Sequence, residues 1–312
     1  MFNRIYSSIA AIRAHLRAGS ADDVTNIVIV HSGATCSGKT TLAKLLHRVL
    51  PNSVIIHQDD FAPPEEQIPL HPTHNIPDWD TPATAIDHPR LAAFLATLKR
   101  TGVVPPHHSH DHLNPVPPLE ERDKLGERER EWRGVFEGLK GEGKGEEVVW
   151  GLVDGFLLYW DPTVVANLDI RILLRVPRAE LERRREERRG YHTAEGSFWV
   201  DPPGYFAQIV YPAYLVAHEP LFENGDTENG KLIAVDAHPA SQPGQPAPHP
   251  EEPTASESGA QPVDGTPGAR PVESGTGARP VAGLILVEPL RETMAGAVDR
   301  VCRILVDAVQ NR

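Results

Sequence analysis

Cysteine is nearly absent. Only Cys36 and Cys302 occur among 312 residues, which excludes a disulfide framework and a paired-cysteine zinc site. Two such thiols suit a reducing compartment, and a cytoplasmic location is the expectation. Long hydrophobic runs are missing as well: no stretch approaches the ~20 apolar residues that a membrane helix needs. Basic charge is in deficit, since 31 Lys and Arg stand against 43 Asp and Glu for a net charge of −12. Such a field repels nucleic acid and anionic membrane alike, so phosphate chemistry must rest on local positive groups. Neither of those partners is expected, and nothing implies a protein partner. Proline, by contrast, is abundant at 30 residues.

Ten of the prolines and seven glycines fall within residues 238–283. There the pentapeptide Gly268-Ala269-Arg270-Pro271-Val272 recurs as Gly277-Ala278-Arg279-Pro280-Val281. Two polar copies make no solenoid. The composition buries too little apolar surface to offset the entropy of ordering and predicts a disordered insert over 238–283. Residues 1–22 read as an N-terminal helical extension. With Arg4, Arg13 and Arg17 and no acid before Asp22, it shares composition with mitochondrial presequences, although an ordinary amphipathic helix is the simpler reading.

The remainder alternates. Apolar, β-branched runs at Asn26–Val30, Ser53–Ile56, Glu147–Val153, Asp169–Val176 and Leu284–Val287 predict strands buried on both faces. Helical patterns separate them at Thr40–Leu50, Ile86–Arg100, Arg178–Arg189, Tyr205–His218 and Arg291–Val309. The expected fold is α/β, a central parallel sheet flanked by helices. It comprises residues 23–237, with 101–146 as a surface excursion, and 284–312 as the last strand and helix.

Gly33-Ala34-Thr35-Cys36-Ser37-Gly38-Lys39-Thr40 satisfies G-x-x-x-x-G-K-[ST], with a strand leading in and a helix leading out through Thr41. Glycines let the backbone curl so that its N–H groups point at phosphate oxygens. The helix N-terminus adds its dipole. Lys39 reaches the outer phosphates and the Thr40 hydroxyl ligates Mg²⁺. This P-loop predicts binding of a nucleoside triphosphate. Cys36 occupies a freely variable position and reads as a small residue that fits. The second strand runs into His57-Gln58-Asp59-Asp60-Phe61, placing two carboxylates at the end of a sheet where ligands bind. A carboxylate there can take a proton from an attacking hydroxyl or help hold magnesium.

Gly33–Thr41, Gln58-Asp59-Asp60-Phe61, Trp79-Asp80, Asp154-Gly155-Phe156-Leu157-Leu158, Arg183-Arg184-Arg185 with Arg188 and Tyr191, and Asp201-Pro202-Pro203-Gly204-Tyr205-Phe206 follow one another in this chain. That series resembles nicotinamide riboside kinases over about residues 26–220, the 101–145 stretch excepted. The resemblance implies a P-loop kinase fold with an arginine-rich lid and transfer of the ATP γ-phosphoryl to the 5′-hydroxyl of a ribosyl-pyridine nucleoside. It implies ATP and Mg²⁺ as cofactors and a small-molecule nucleoside as partner. Asp59 is then the proton acceptor, near magnesium with Thr40, and both Asp59 and Asp60 belong to the substrate-binding set. Asp80 and Arg185 hold the ribose hydroxyls. Trp79 and Tyr191 sandwich the cationic pyridine ring. The family more often has tyrosine at the first of these two positions. Asp201 closes the substrate end, and Arg184 and Arg188 meet ATP.

Asp154 is either an acid near the metal or a strand-end cap. The run Arg178–Arg189 holds six arginines and four glutamates, which suits either a solvated helix or a lid that answers charge on a transferring phosphoryl group. His107-His108-Ser109-His110-Asp111-His112 has metal-like spacing, but its proline-rich surroundings argue against a metal site. Two competing functions remain: a uridine or cytidine kinase, and a catalytically silent nucleotide-binding regulator.

Overall fold

The computed structural model describes residues 26–107, 109, 116, 118–139, 148–193, 195–235 and 279–310. The chain divides into two units, 1–237 with 276–312, and 238–275. The second unit and the N-terminal extension lie outside the described residues, as do His108 and His110–His112. Among the described residues no helix is long and apolar enough to cross a membrane.

The first unit runs β1 (Asn26–Gly33), α1 (Lys39–Val49), β2 (Ser53–His57), α2 (His88–Thr101), α3 (Arg128–Gly138) and β3 (Val149–Gly155). Next come α4 (Pro162–Val165), β4 (Ile170–Leu174), α5 (Arg178–Arg188), the short strands β5 (Tyr191–His192) and β6 (Phe198–Trp199), and α6 (Tyr211–His218). The final pair is β7 (Leu284–Val287) and α7 (Met294–Gln310). Five strands form one parallel sheet in the order β2-β3-β1-β4-β7, and β5 pairs antiparallel with β6.

Side-chain alternation splits the core into two layers. Ile27 and Ile29 of β1 join Leu42 and Leu46 of α1 and Val301 and Leu305 of α7 on one face. Val28 and Val30 join Leu91, Leu95 and Leu98 of α2 on the other. Local signals set the helix ends. Asp87 caps α2 by accepting the Arg90 N–H (3.0 Å). Gly102, at φ 67, closes the same helix with its N–H on the Leu98 carbonyl.

Three sequence expectations change. Asp154 does not follow β3 but lies inside it, because β3 keeps its ladder with β1 as far as Gly155. The 101–146 stretch is not merely a surface excursion: Leu125 and Phe136 are buried against the α1–α7 layer, Phe136 edge-on to Trp150 at 5.6 Å. The insert's far boundary also moves. Val281 is buried in the α2 layer, and the Ala282 carbonyl accepts from Arg171 Nη1 (2.9 Å), so Arg279–Gly283 carry the lead into β7.

Phe136 separates an integral helix from a peripheral one. Phe136→Ala is expected to cost about 3–5 kcal/mol in urea unfolding, the usual loss for a buried phenylalanine. A loss below about 0.5 kcal/mol would mark α3 as peripheral.

Candidate active site

The P-loop is bent by two glycines for different reasons. A Cβ on Gly33 would sit 2.7 Å from the Leu174 carbonyl oxygen of β4, a backbone atom that cannot yield. Gly38 caps α1 at φ 96, a left-handed conformation that side chains disfavour. The first N–H groups of α1 lack intrahelical acceptors and no acid stands in its first turn, so its N-terminus offers donors and a positive dipole end to an anion. This end opens into a cavity of about 610 Å³, a size suited to small-molecule ligands.

Sheet register delivers the acids. In β2, β3 and β1 the residues His57, Asp154 and His31 stand opposite one another in one cross-sheet row. The Thr40 hydroxyl donates to Asp154 Oδ2 (2.6 Å), and His57 Nδ1 lies 3.2 Å from the same oxygen. Burial would raise the Asp154 pKa, but the His57 hydrogen bond, Lys39 and the Thr40 hydroxyl together hold it below the usual carboxylate value. Its Oδ1 is buried without a hydrogen-bond partner. His31 is fully buried, and desolvation lowers its pKa to about 4 despite the Asp154 charge, which keeps the ring neutral.

Asp59 follows on a short 3₁₀ turn, Gln58–Phe61, and faces the cavity. Although Asp59 is exposed to the cavity, the groups crowded around its carboxyl raise its pKa by desolvation; Lys39 opposes this and the Asp154 charge adds to it. Gln58 fixes the turn by accepting the Leu157 N–H on Oε1 (2.8 Å). An anionic carboxylate with one orphaned oxygen, beside a threonine hydroxyl and a second acid, is an all-oxygen donor set that fits a hard divalent cation such as Mg²⁺. The hydroxyl of Thr40 is tied to Asp154, and Asp59, expected near magnesium with Thr40, lines the same cavity.

On the opposite wall, α5 supplies Arg183, Arg184, Arg185 and Arg188. Arg184 Nη1 donates to the Cys36 carbonyl of the P-loop (3.2 Å), with its Nε on Glu180 (2.6 Å). Arg185 is 8% exposed and heavily committed. It makes paired bonds to Asp201 (2.5 and 2.9 Å), reaches Thr35 Oγ1 (2.9 Å) and lies over the Tyr191 ring (5.3 Å). Arg188 covers the same ring at 4.9 Å. Asp201 also accepts from Trp199 Nε1 (2.9 Å). Both its oxygens are engaged and it does not line the cavity, so Asp201, expected at the substrate end, stands behind Arg185.

Asp80, Trp79 and Tyr191 all line the cavity. Trp79 leans edge-on against Trp199 at 6.2 Å. The Tyr205 hydroxyl accepts the Trp79 N–H (3.3 Å) and points its proton at Asp80 Oδ2 (3.2 Å) and the Pro77 carbonyl (3.1 Å). It fixes both neighbours. Desolvation raises the Asp80 pKa to about 6, against the pull of Arg185 and Tyr205.

The cavity thus gathers Thr35, Cys36, Gly38, Lys39, Thr40, Thr41, Asp59, Asp60, Trp79, Asp80, Arg184, Arg185, Arg188 and Tyr191. Gly33, Ala34 and Ser37 stand behind as loop framework. Sequence reasoning gave no role to His57 or Tyr205, although both sit inside motifs it quoted, nor to Glu180. The described histidine of the 107–112 run, His107, packs edge-on to Phe94 (5.1 Å). No cluster able to hold a metal occurs among His, Cys, Asp and Glu of the described residues. A cation here would therefore have Thr40 and the neighbouring carboxylate, with its remaining ligands coming from oxygens that a bound nucleotide brings.

No protein-family model matches the chain. Similar proteins are the nicotinamide riboside kinases of three fungi. The Eremothecium gossypii protein is 37% identical over 206 residues, which cover 65% of this chain and 80% of the relative. That of Saccharomyces cerevisiae is 35% identical over 202 residues, 65% and 81% of the two chains. The Schizosaccharomyces pombe protein is 37% identical over 213 residues, 66% and 85%.

Asp80 makes a pH signature. Its folded pKa, about 6, exceeds the unfolded value near 3.8, so the folded state holds the proton more tightly. The resulting stabilisation is fully present below pH ~4 and lost as pH rises through ~6. Relative to Asp80→Asn, the wild type should lose on the order of 3 kcal/mol between those limits, read from paired denaturation curves. Parallel curves for the two proteins would show that Asp80 titrates normally.

Proposed function

The chain belongs to the nicotinamide riboside kinase family, and on that premise we propose that it transfers the γ-phosphoryl group of ATP to the ribose 5′-hydroxyl of nicotinamide riboside, forming the mononucleotide for NAD biosynthesis. The observation that carries the reading is the division of charge in one cavity. Cations come from α1 and α5, where phosphates belong, and acids from the end of β2 and from Asp80, where a cationic nucleoside belongs.

The chemistry follows from placement. Asp59 receives the 5′-hydroxyl proton as that oxygen attacks the γ-phosphorus and the bond to the β-phosphate bridging oxygen breaks, releasing ADP. A raised carboxylate pKa makes Asp59 a stronger base than a solvated aspartate. Lys39 and the α1 N–H groups hold the phosphates, and Arg184 and Arg188 answer the charge on the transferring group. Thr40 with Asp154 would hold Mg²⁺, which when bound neutralises the phosphate oxygens. Asp80 and Arg185 bind the vicinal diol. Trp79 and Tyr191 offer aromatic faces to the pyridinium. A uridine or cytidine kinase would need polar groups reading a pyrimidine edge, where this cavity presents Trp79 and Tyr191. The intact set of Lys39, Thr40, Asp59 and lid arginines argues against a silent regulator.

ATP consumption by the purified protein with nicotinamide riboside, uridine, cytidine or no acceptor tests the assignment; preference for a pyrimidine nucleoside would overturn it. Within it, Asp59→Asn is expected to lower kcat by roughly 10²–10⁴-fold while ATP still binds, and near-normal turnover would move the base elsewhere. Trp79→Leu keeps an apolar wall but removes the ring quadrupole. It should raise KM for nicotinamide riboside roughly two- to thirty-fold more than for the uncharged, reduced-ring riboside, given cation–π attraction of about 0.5–2 kcal/mol. Equal losses on the two substrates would reduce Trp79 to packing area.

A further inference from the structure

Thr40 can ligate a cation only through an oxygen lone pair, so its hydroxyl proton must go elsewhere. It goes to Asp154 Oδ2 at 2.6 Å. That same oxygen is approached by His57 Nδ1 at 3.2 Å. Since Asp154 is an ionised acceptor, Nδ1 carries the hydrogen and donates it. The two donors fix the carboxylate from different elements, His57 from β2 and Thr40 from α1. The pairing is built into the backbone, because His57 and Asp154 are direct partners in the β2–β3 register. Without His57, Oδ2 would keep only the Thr40 hydroxyl of these two donors, and Oδ1 is already unpartnered.

We propose that His57 is a positioning residue for the Thr40–Asp154 pair: its Nδ1–H holds Asp154 so that Oδ2 takes the Thr40 proton and leaves the threonine lone pairs facing the nucleotide's cation. Groups that orient a metal-holding residue in this way commonly govern affinity by 10–100-fold. His57 does not touch the nucleoside in this scheme, so its loss falls on cation binding and kcat and spares nucleoside KM. The proposal rests on reading Thr40 and Asp154 as the magnesium holders of the kinase.

The test is titration of Mn²⁺ into the protein–ADP complex by calorimetry, with no acceptor nucleoside, so failure of the kinase reading leaves the measurement intact. His57→Phe keeps a ring but no donor and is expected to weaken Mn²⁺ binding roughly 10–100-fold, with metal-free ADP affinity unchanged. His57→Asn places an amide N–H at the position of Nδ1 and is expected to restore binding to within about threefold. His57→Ala repeats the donor loss without a bulky ring, should the phenylalanine variant fold poorly. Wild-type Mn²⁺ affinity in the alanine variant, or an asparagine variant as weak as alanine, would overturn the proposal. Equal losses of metal-bound and metal-free ADP would do so as well, since they indicate a general disturbance of the loop.

Discussion

Arg185 is a guanidinium taken almost wholly out of water, and the lid side of the cavity is organised by the need to satisfy it. A buried cation without partners would be severely destabilising. Here Asp201 supplies a two-pronged acceptor, Thr35 a hydroxyl and Tyr191 a ring face. Those partners come from the loop before the π-turn Phe206–Val210, from the P-loop and from β5. One side chain therefore ties phosphate loop, lid helix and β-hairpin to a common point. Leu181, one turn earlier on α5, is the apolar counterpart of that anchor, while the rest of the helix is charged and largely exposed. The lid is thus held at two points, the Arg185–Asp201 pair and the apolar cluster around Leu181.

A second constraint, the parallel register, works on the other wall. Three neighbouring strands present His57, Asp154 and His31 side by side, and the same alternation that sends Ile29 and Leu152 into the core sends Asp154 up to Thr40. Overall acidity is no obstacle to phosphate chemistry here. The cations that matter are drawn from two short segments, and Glu180 steadies one of them by holding Arg184 against the loop.

Legibility from sequence followed the physics of each feature. The P-loop was readable because its backbone path demands glycine at fixed spacings. The sheet was readable because its central strands, buried on both faces, carry short runs of apolar, mostly β-branched residues, as in residues 27–30 and 172–174. Asp154 was ambiguous, since an aspartate near a strand end serves equally as cap or ligand, and only the register decides. Phe136 was hidden in a helix whose other residues are mostly charged. Asp201 was given a direct substrate role because composition does not reveal that a carboxylate is already occupied by its neighbours. The repeated pentapeptide is the sharpest case: Val281 is buried in the core, yet it belongs to the same five-letter word as Val272. Val281 stands three residues before β7, and the strand that follows, not the pentapeptide, accounts for its burial.

The Arg171–Ala282 bond and the burial of Val281 pin the approach to β7, which pairs with β4 at the edge of the sheet among the described residues. On the other side, Leu232 is bridged to Phe222. Both of these flanks are thus anchored within the first unit. A strand whose approach is pinned to its own sheet neighbour keeps its register, and β7 in turn delivers α7 to the face of the sheet that also holds α1.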